Sequence, residues 1–477
     1  MRSKAAAAAI LLLWLTSMAA DLGPSAAQSV APDPRFGIVE SYVNPAAASE
    51  AGAGYTRVIL RWDTIQPAGP LDWKPANVPD PVIEGELAAG REVVAVLIGT
   101  PLWASIQGSR GARDVPDMFY WEAFVRRMVQ QYRGRIHRWI IWNEPDVWDE
   151  NHPGSTWAGT LDDYFRLLKT AYVAMKAEDP AGQVMISGLT YYWDWEHGRR
   201  RYLDRLLDII AADSDAPTHG YYFDAVVYHL YFNPSQTVQV LEETAQTLRA
   251  HGLSGKELWI NETNAPPSDD PQELPWSPPR FRVSQQEQAA FILQEFALAF
   301  SSGASRVEVY KLRNTPDHPE SIEPFGLLRG DDSRRPAFYA YQVAATHLSG
   351  FRAARREKRG DTIAVTFDRG ARTTTVVWTT SRRSARVLVR AVAREALFVD
   401  EAGRTRSITP RNGYYTIDLP GATCSTGGPC MIGGAPRLLV EAGPPAGRLA
   451  LGEPPAAAPG ASPTRPPSRS PGCSACE

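Results

Sequence analysis

Arg138-Trp139-Ile140-Ile141-Trp142-Asn143-Glu144-Pro145 is the stretch whose reading decides the fold. Up to Trp142 it is a short apolar, β-branched and aromatic run, too brief for a helix and closed by a proline. Such a run reads as a strand buried on both faces, the kind that parallel sheets require. Its polar residues stand at the C-terminal end, where barrels of alternating strands and helices keep their chemistry.

Working outward, the same texture recurs upstream at Phe36-Gly37-Ile38-Val39, Thr56 to Trp62 and Glu92 to Ile98. Downstream it recurs at Val184 to Leu189, Ala225 to Tyr231, Leu258 to Thr263 and Val307 to Leu312. Helix-period segments separate these runs. Leu161, Tyr164, Phe165, Leu168, Tyr172 and Met175 share one stripe. Ser284 with Glu287 forms a capping box, Phe291, Ile292, Phe296 and Leu298 follow, and Gly303 stands at the C-cap. Eight strands with intervening helices predict an α/β class protein, a (β/α)8 TIM barrel over residues 28–345.

Beyond residue 345 short strands at turn-length spacing predict a small C-terminal β-sandwich over 346–444, with strands at Thr362 to Phe367, Thr374 to Trp378, Arg386 to Val392, Tyr415 to Leu419 and Arg437 to Val440. Residues 445–477 are rich in Pro, Ala, Gly and Ser and are expected to be a disordered tail. At the other end, Arg2 and Lys4 precede an apolar run and small residues near Ala27, so 1–27 reads as a signal peptide and the chain as exported. A membrane association is expected only if that signal is left uncleaved. Export makes a disulfide between Cys424 and Cys430 plausible, whereas Cys473 and Cys476 make a lone C-x-x-C, poor evidence for zinc.

The net charge of −3 offers no footprint for nucleic acid, and Arg199-Arg200-Arg201 and the basic residues from Arg355 to Arg359 read as solvated surface charge. The 8 histidines show no metal-ligand spacing and no Gly-rich phosphate loop precedes a helix, so neither metal nor cofactor is expected. Nothing in the sequence sets an oligomeric state.

Two strand ends carry glutamate: Asn143-Glu144-Pro145 after the fourth, and Asn261-Glu262-Thr263-Asn264 at the seventh. Either alone reads more readily as a surface charge or half of a salt bridge. Facing each other across a barrel mouth, they are the minimal equipment for cleaving a glycosidic bond.

With these residues the sequence resembles glycoside hydrolase clan A, the barrels with an acid/base at the end of strand four and a nucleophile at the end of strand seven, and within it the β-xylosidase and α-L-iduronidase family or the cellulase-like family. Arg57 on the second strand, Tyr228-His229-Leu230-Tyr231 on the sixth, and Thr100-Pro101-Leu102-Trp103-Ala104 after the third add matches, the last as in the β-xylosidase and α-L-iduronidase family. The resemblance implies Glu144 as acid/base and Glu262 as nucleophile. Arg57 and Tyr231 would hold Glu262 anionic, Asn143 would bond the sugar 2-hydroxyl, and His229 would orient the nucleophile or contact sugar. Arg57 as a barrel salt bridge, Tyr231 as core filler and His229 as a satisfied interior histidine are the alternatives at those positions.

The implied activity is a secreted retaining glycosidase acting on a poly- or oligosaccharide through a glycosyl-enzyme. It requires carboxyls about 5 to 5.5 Å apart, against roughly 6.5 to 9.5 Å for inversion. A transglycosylase and a non-catalytic carbohydrate-binding barrel are the alternatives. Trp62, Trp103, Trp148, Trp157, Trp193, Trp195 and Trp276 all follow strand ends and suggest an aromatic groove for sugar rings. Where clan members often place a tryptophan after strand eight this chain has Tyr310-Lys311, so Tyr310 is the candidate platform there and Lys311 a candidate reader of an acidic or hydroxylated sugar.

Overall fold

The computed structural model describes residues 31–452 apart from 276–280, 315, 319–320, 323, 426–429, 446 and 448–449. Eight parallel strands follow one another around a closed barrel: β1 (Phe36–Ile38), β2 (Tyr55–Arg61), β3 (Glu92–Ile98), β4 (Arg138–Asn143), β5 (Gln183–Leu189), β6 (Ala225–Tyr231), β7 (Glu257–Asn264) and β8 (Arg306–Val309). Closure comes from β8 pairing back on β1, with Phe36, Gly37 and Ile38 opposite Val307, Glu308 and Val309.

The side chains explain the closure. From Val93 onward every residue of β3 is buried, as a strand covered on one side by helices and on the other by barrel interior must be. Gly37 has no side chain because the Tyr55 ring fills its place; an added Cβ would lie 2.4 Å from that ring. Glu92 accepts from both Arg138 and Arg306, the latter at 2.8 Å, and the Arg306 guanidinium lies 4.6 Å over the Trp259 ring. This paired charge closes the end of the barrel opposite the strand C-termini.

The helices obey the expected end signals. Thr160 and Asp163 form a reciprocal capping box before the helix Leu161–Glu178, and Ser284 and Glu287 do the same before Gln285–Ser301. Gly303 follows that second helix with φ of 97°, the left-handed conformation in which a chain leaves a helix. Glu287 through Phe300 are all buried, more than one amphipathic stripe allows, because the helix is covered by the barrel on one side and by the C-terminal sheet on the other.

After a small pair of strands, β9 (Pro316–His318) and β10 (Ser321–Ile322), the helix Pro336–Leu348 closes the barrel, three positions past the expected boundary at 345. Two antiparallel sheets follow. One has the order β11 (Ala353–Arg359), β12 (Thr362–Asp368), β13 (Arg372–Thr379), β18 (Arg437–Ala442), β15 (Ala396–Val399) and β16 (Thr405–Ile408); the other pairs β14 (Ala385–Arg390) with β17 (Tyr414–Leu419). Val377, Val389, Tyr415, Ile417 and Leu439 pack between them. On its other face the larger sheet contributes Val365, Phe367, Val376 and Trp378 to the barrel's own hydrophobic cluster, so barrel and sandwich share one core.

The sequence reading differs from this architecture in further places. Arg355 to Arg359 belong to the edge strand β11, whose charged side chains suit an exposed sheet margin. The short strands β15 and β16 went unread. The expected tail is attached as far as Gly452: Leu451 is buried and bridges Val389, and Arg390 donates to the Ala450 carbonyl at 2.7 Å. Residues 1–27, Trp276, Cys473, Cys476 and the tail from 453 lie outside the described residues. No helix among the described residues is long and apolar enough to cross a membrane.

Candidate active site

The strand ends bring Glu144 and Glu262 together. Glu262 is the last glutamate of β7, 8% exposed. The β6–β7 and β7–β8 registers both shift around it, an irregularity of the kind that re-aims a side chain near a functional site. One Glu262 oxygen is ion-paired with Arg57 of β2 and the other accepts from the Tyr231 hydroxyl of β6 at 2.6 Å. His229 Nδ1 lies 3.4 Å from that second oxygen and 2.7 Å from Glu144 Oε1. The three groups Glu144, His229 and Glu262 each offer an atom within 4.8 Å of the others.

The electrostatics follow from these contacts. Burial alone would raise the Glu262 carboxyl, but the charges of His229 and Arg57 and the hydrogen bonds from Tyr231 and Arg57 outweigh it and hold the group below the usual glutamate range. Burial pushes Tyr231 well above the ordinary phenol value, so it remains a donor. Below them Glu308 of β8 is fully buried, and no side chain among the described residues donates to its oxygens. Burial pushes this carboxyl well up, the Arg57 charge opposing. A neutral Glu308 leaves the Arg57 charge to Glu262.

Glu144 sits just past β4 in the left-handed region at φ 46°, and Trp142 before it at φ 72°, conformations that cost free energy and persist only where surroundings impose them. Those surroundings are visible. The Trp142 indole donates to the Thr156 carbonyl at 2.9 Å and the Glu144 amide donates to the Gly188 carbonyl at 3.1 Å. Two residues on, buried Asp146 accepts from the Thr190 amide and hydroxyl, both at 2.8 Å, and from the Tyr191 amide at 3.1 Å, tying the loop after β4 to the loop after β5. Burial brings the Asp146 carboxyl up to about 7, against the pull of the Thr190 bonds, with the Glu144 charge adding to the rise.

Gly188 of β5 has a second role. A Cβ there would lie 2.0 Å from His229 Nε2, so only glycine leaves room for the imidazole that reaches Glu144.

A cleft of about 670 Å³ opens beside these groups. Glu144, His229 and Tyr231 line it together with Tyr191, Tyr192 and Trp195. Further along stand Asn233, Gln236 and Gln239 from the β6 side, with Phe232, Phe281 and Met431. Aromatic faces interleaved with neutral amides are the chemistry that recognises sugar rings and their hydroxyls.

The other expected residues fall as follows. Asn143 ends β4 half-buried, opposite Gly188 of β5. Tyr310 packs its ring edge-on to Tyr231 at 6.4 Å and to Phe325 at 5.4 Å, beside the pair rather than on the cleft lining. Lys311 is buried, with Nζ 3.6 Å from the Glu40 carboxylate. Trp103 stands apart from the cleft: its indole donates to the Gln66 carbonyl at 2.6 Å and packs edge-on to Trp62 and Tyr120. Among the described tryptophans only Trp195 lines the cleft; Trp62, Trp157 and Trp193 are buried, and half-exposed Trp148 packs against His197.

Sequence reasoning missed Asp146, Gly188, Glu308 and Met431. Asp146 had a visible signal, an acid in the loop of Glu144, but its three donors come from a loop more than forty positions away. The Glu144, His229 and Glu262 atoms are also the set that a cation would find, yet both Glu262 oxygens are already taken by protein donors.

No family model and no curated protein matches the sequence. Solved structures do match. A family 39 glycoside hydrolase from Bacteroides cellulosilyticus WH2 aligns with a TM-score of 0.65 at 18% identity over 86% of this chain and 81% of that one. A family 39 β-xylosidase from Caulobacter crescentus aligns at 0.56 and 15%, over 87% and 97%. A family 30 endoxylanase from Clostridium papyrosolvens C71 aligns at 0.56 and 14%, over 86% and 97%. The chain therefore shares its fold with solved glycoside hydrolases of families 39 and 30.

Proposed function

We propose that the protein is a retaining glycosidase that cleaves O-glycosidic bonds of an oligo- or polysaccharide by double displacement. The observation that carries this reading is the pairing of two glutamates with unlike surroundings, an oxygen of one within 4.8 Å of an oxygen of the other. That close approach is nearer to the roughly 5 to 5.5 Å carboxyl separation of retaining enzymes than to the roughly 6.5 to 9.5 Å of inverting ones.

Glu262, anionic and held by Arg57 and Tyr231, forms the bond to the anomeric carbon as the bond to the leaving oxygen breaks. Glu144 gives its proton to that oxygen. In the second step Glu144 takes a proton from water, whose oxygen displaces Glu262 from the sugar. His229 holds the Glu144 carboxyl in place, and the side-chain amide of Asn143 at the end of β4 would bond the sugar 2-hydroxyl, a contact that strengthens as positive charge develops on the ring. The N-terminal stretch 1–27 supports export of the enzyme, which places its substrate outside the cytoplasm.

A screen of α- and β-linked aryl glycosides and soluble polysaccharides identifies the sugar, and Glu262→Ala tests the role. We expect turnover of the best aryl glycoside to fall by at least about a thousandfold in the variant, the scale of losing a covalent catalyst. A wild-type rate in Glu262→Ala would remove it from the mechanism.

A further inference from the structure

The cleft beside Glu144 is not built by the barrel alone. Met431 belongs to the C-terminal sandwich, in the connection between β17 and β18, yet it lines the same cleft as Glu144, His229 and Tyr231. Several contacts fix it there. Cys430, its neighbour, is joined to Cys424, and the amide of Ser425 donates at 3.0 Å to Glu287, the buried glutamate that also caps the helix Gln285–Ser301. On the other side Ile432 is buried in the barrel's own core, and the Gly433 amide and carbonyl both bond the buried amide of Gln294, each at 3.0 Å. The chain on both sides of Met431 is thus bound to one barrel helix, and an aliphatic side chain between two such anchors is presented to the cleft rather than left to find a position.

Its distance from the chemistry can be followed through the aromatic rings. Tyr231 holds the nucleophile; the Phe232 ring is 6.5 Å from that of Tyr231, and the Phe281 ring is 5.0 Å from that of Phe232. Phe281 stands just before the capping box where the Ser425 amide docks. Phe232, Phe281 and Met431 line the same cleft as Tyr231, together with Tyr192, Trp195, Gln236 and Gln239. A single sugar bound between Glu144 and Glu262 would sit beside Tyr231.

We propose that Met431 is a specificity-determining residue: it completes a subsite away from the cleavage point, in which the thioether packs on the apolar face of an uncharged sugar unit of a longer glycan. The inference rests on the glycosidase reading above. It assigns the sandwich a direct part in substrate recognition, and it makes the enzyme one that prefers chains to isolated glycosides. A flexible, polarizable thioether suits this position, because it adapts to a pyranose face without demanding one orientation.

The test compares Met431→Ala, Met431→Leu and wild type on two substrates of the sugar identified in the panel screen, the 4-nitrophenyl monoglycoside and the corresponding tetrasaccharide. We expect Met431→Ala to lower kcat/KM on the tetrasaccharide roughly fivefold, the scale of losing one partly buried apolar contact, through a raised KM. The monoglycoside rate should stay within about twofold of wild type, a difference of only about 0.4 kcal/mol, and Met431→Leu should restore most of the loss. Equal effects on both substrates would mean a structural role, and no effect on the tetrasaccharide would mean that it does not reach Met431; either overturns the proposal. A wild-type protein that turns over neither substrate overturns the glycosidase reading itself, and the subsite with it.

Discussion

Replacing Tyr231 by phenylalanine removes one oxygen atom and one hydrogen bond, the 2.6 Å donation to Glu262, while the ring keeps its edge contact with Phe325 at 5.5 Å. The structure gives the size of the effect. A hydrogen bond to a buried charge is worth about 1.5–3 kcal/mol, and a unit of pKa is about 1.36 kcal/mol, so the Glu262 carboxyl should rise by about one to two units. The direction follows from the depressed state of Glu262: a donor that favours the anion is gone, and burial, which favours the acid, is no longer fully opposed. In the proposed mechanism Glu262 must be ionised to attack. The acid limb of the kcat/KM profile against pH, measured on an aryl glycoside, should therefore move to higher pH by about one to two units. The loss on the acid side should exceed the loss on the plateau, where Glu262 remains ionised and only its orientation suffers. An acid limb that superposes on the wild-type limb would refute the reasoning, since the Tyr231 hydroxyl would then contribute nothing to the charge of Glu262.

Two other perturbations probe the supports of the pair. Gly188→Ala drives a methyl group into His229 Nε2, and with the imidazole buried at the edge of the cleft we expect destabilisation of about 1–3 kcal/mol and a kcat at least about tenfold lower; a variant with wild-type melting temperature and rate would show that His229 has room to spare. Asp146→Asn tests the buried acid after β4. With its carboxyl at about 7 in the folded protein against 3.8 as an unperturbed group, the native state holds the extra proton, so this residue lowers stability as pH rises from about 4 to about 7, by up to about 4 kcal/mol. The asparagine variant should lose that part of the decline in melting temperature, and an unchanged slope would place the titration elsewhere, for instance at Glu295, which burial brings up to about 8.

The barrel was legible because its strands are short, apolar and closed by polar residues, a pattern that survives in one dimension. Glu144 and Glu262 were legible for the same reason, each marking the end of such a run, and Arg57 and Tyr231 followed from matching motifs. What stayed hidden is two-dimensional. Gly188 is a glycine like many others until the strand beside it places an imidazole against it, and Asp146 is an ordinary loop acid until Thr190 and Tyr191 arrive. Met431 could not be found from the barrel pattern at all, because it comes from the sandwich, outside that pattern. The tryptophans misled for a related reason: position after a strand end says which end of the barrel a residue occupies, not whether it faces the cleft, and Trp62, Trp103 and Trp157 turn toward protein. The strand β11 was hidden by its charges, since an exposed edge carries arginines that read as surface rather than sheet.

The measurement that bears most directly on the paired glutamates is the configuration of the first sugar released, followed by proton NMR during hydrolysis of the aryl glycoside selected in the panel screen. Attack by Glu262 followed by attack of water inverts the anomeric carbon twice, so the initial signal should belong to the anomer with the configuration of the substrate and equilibrate only later. Initial release of the opposite anomer would mean a single displacement by water, and the assignment of Glu262 as nucleophile would be wrong.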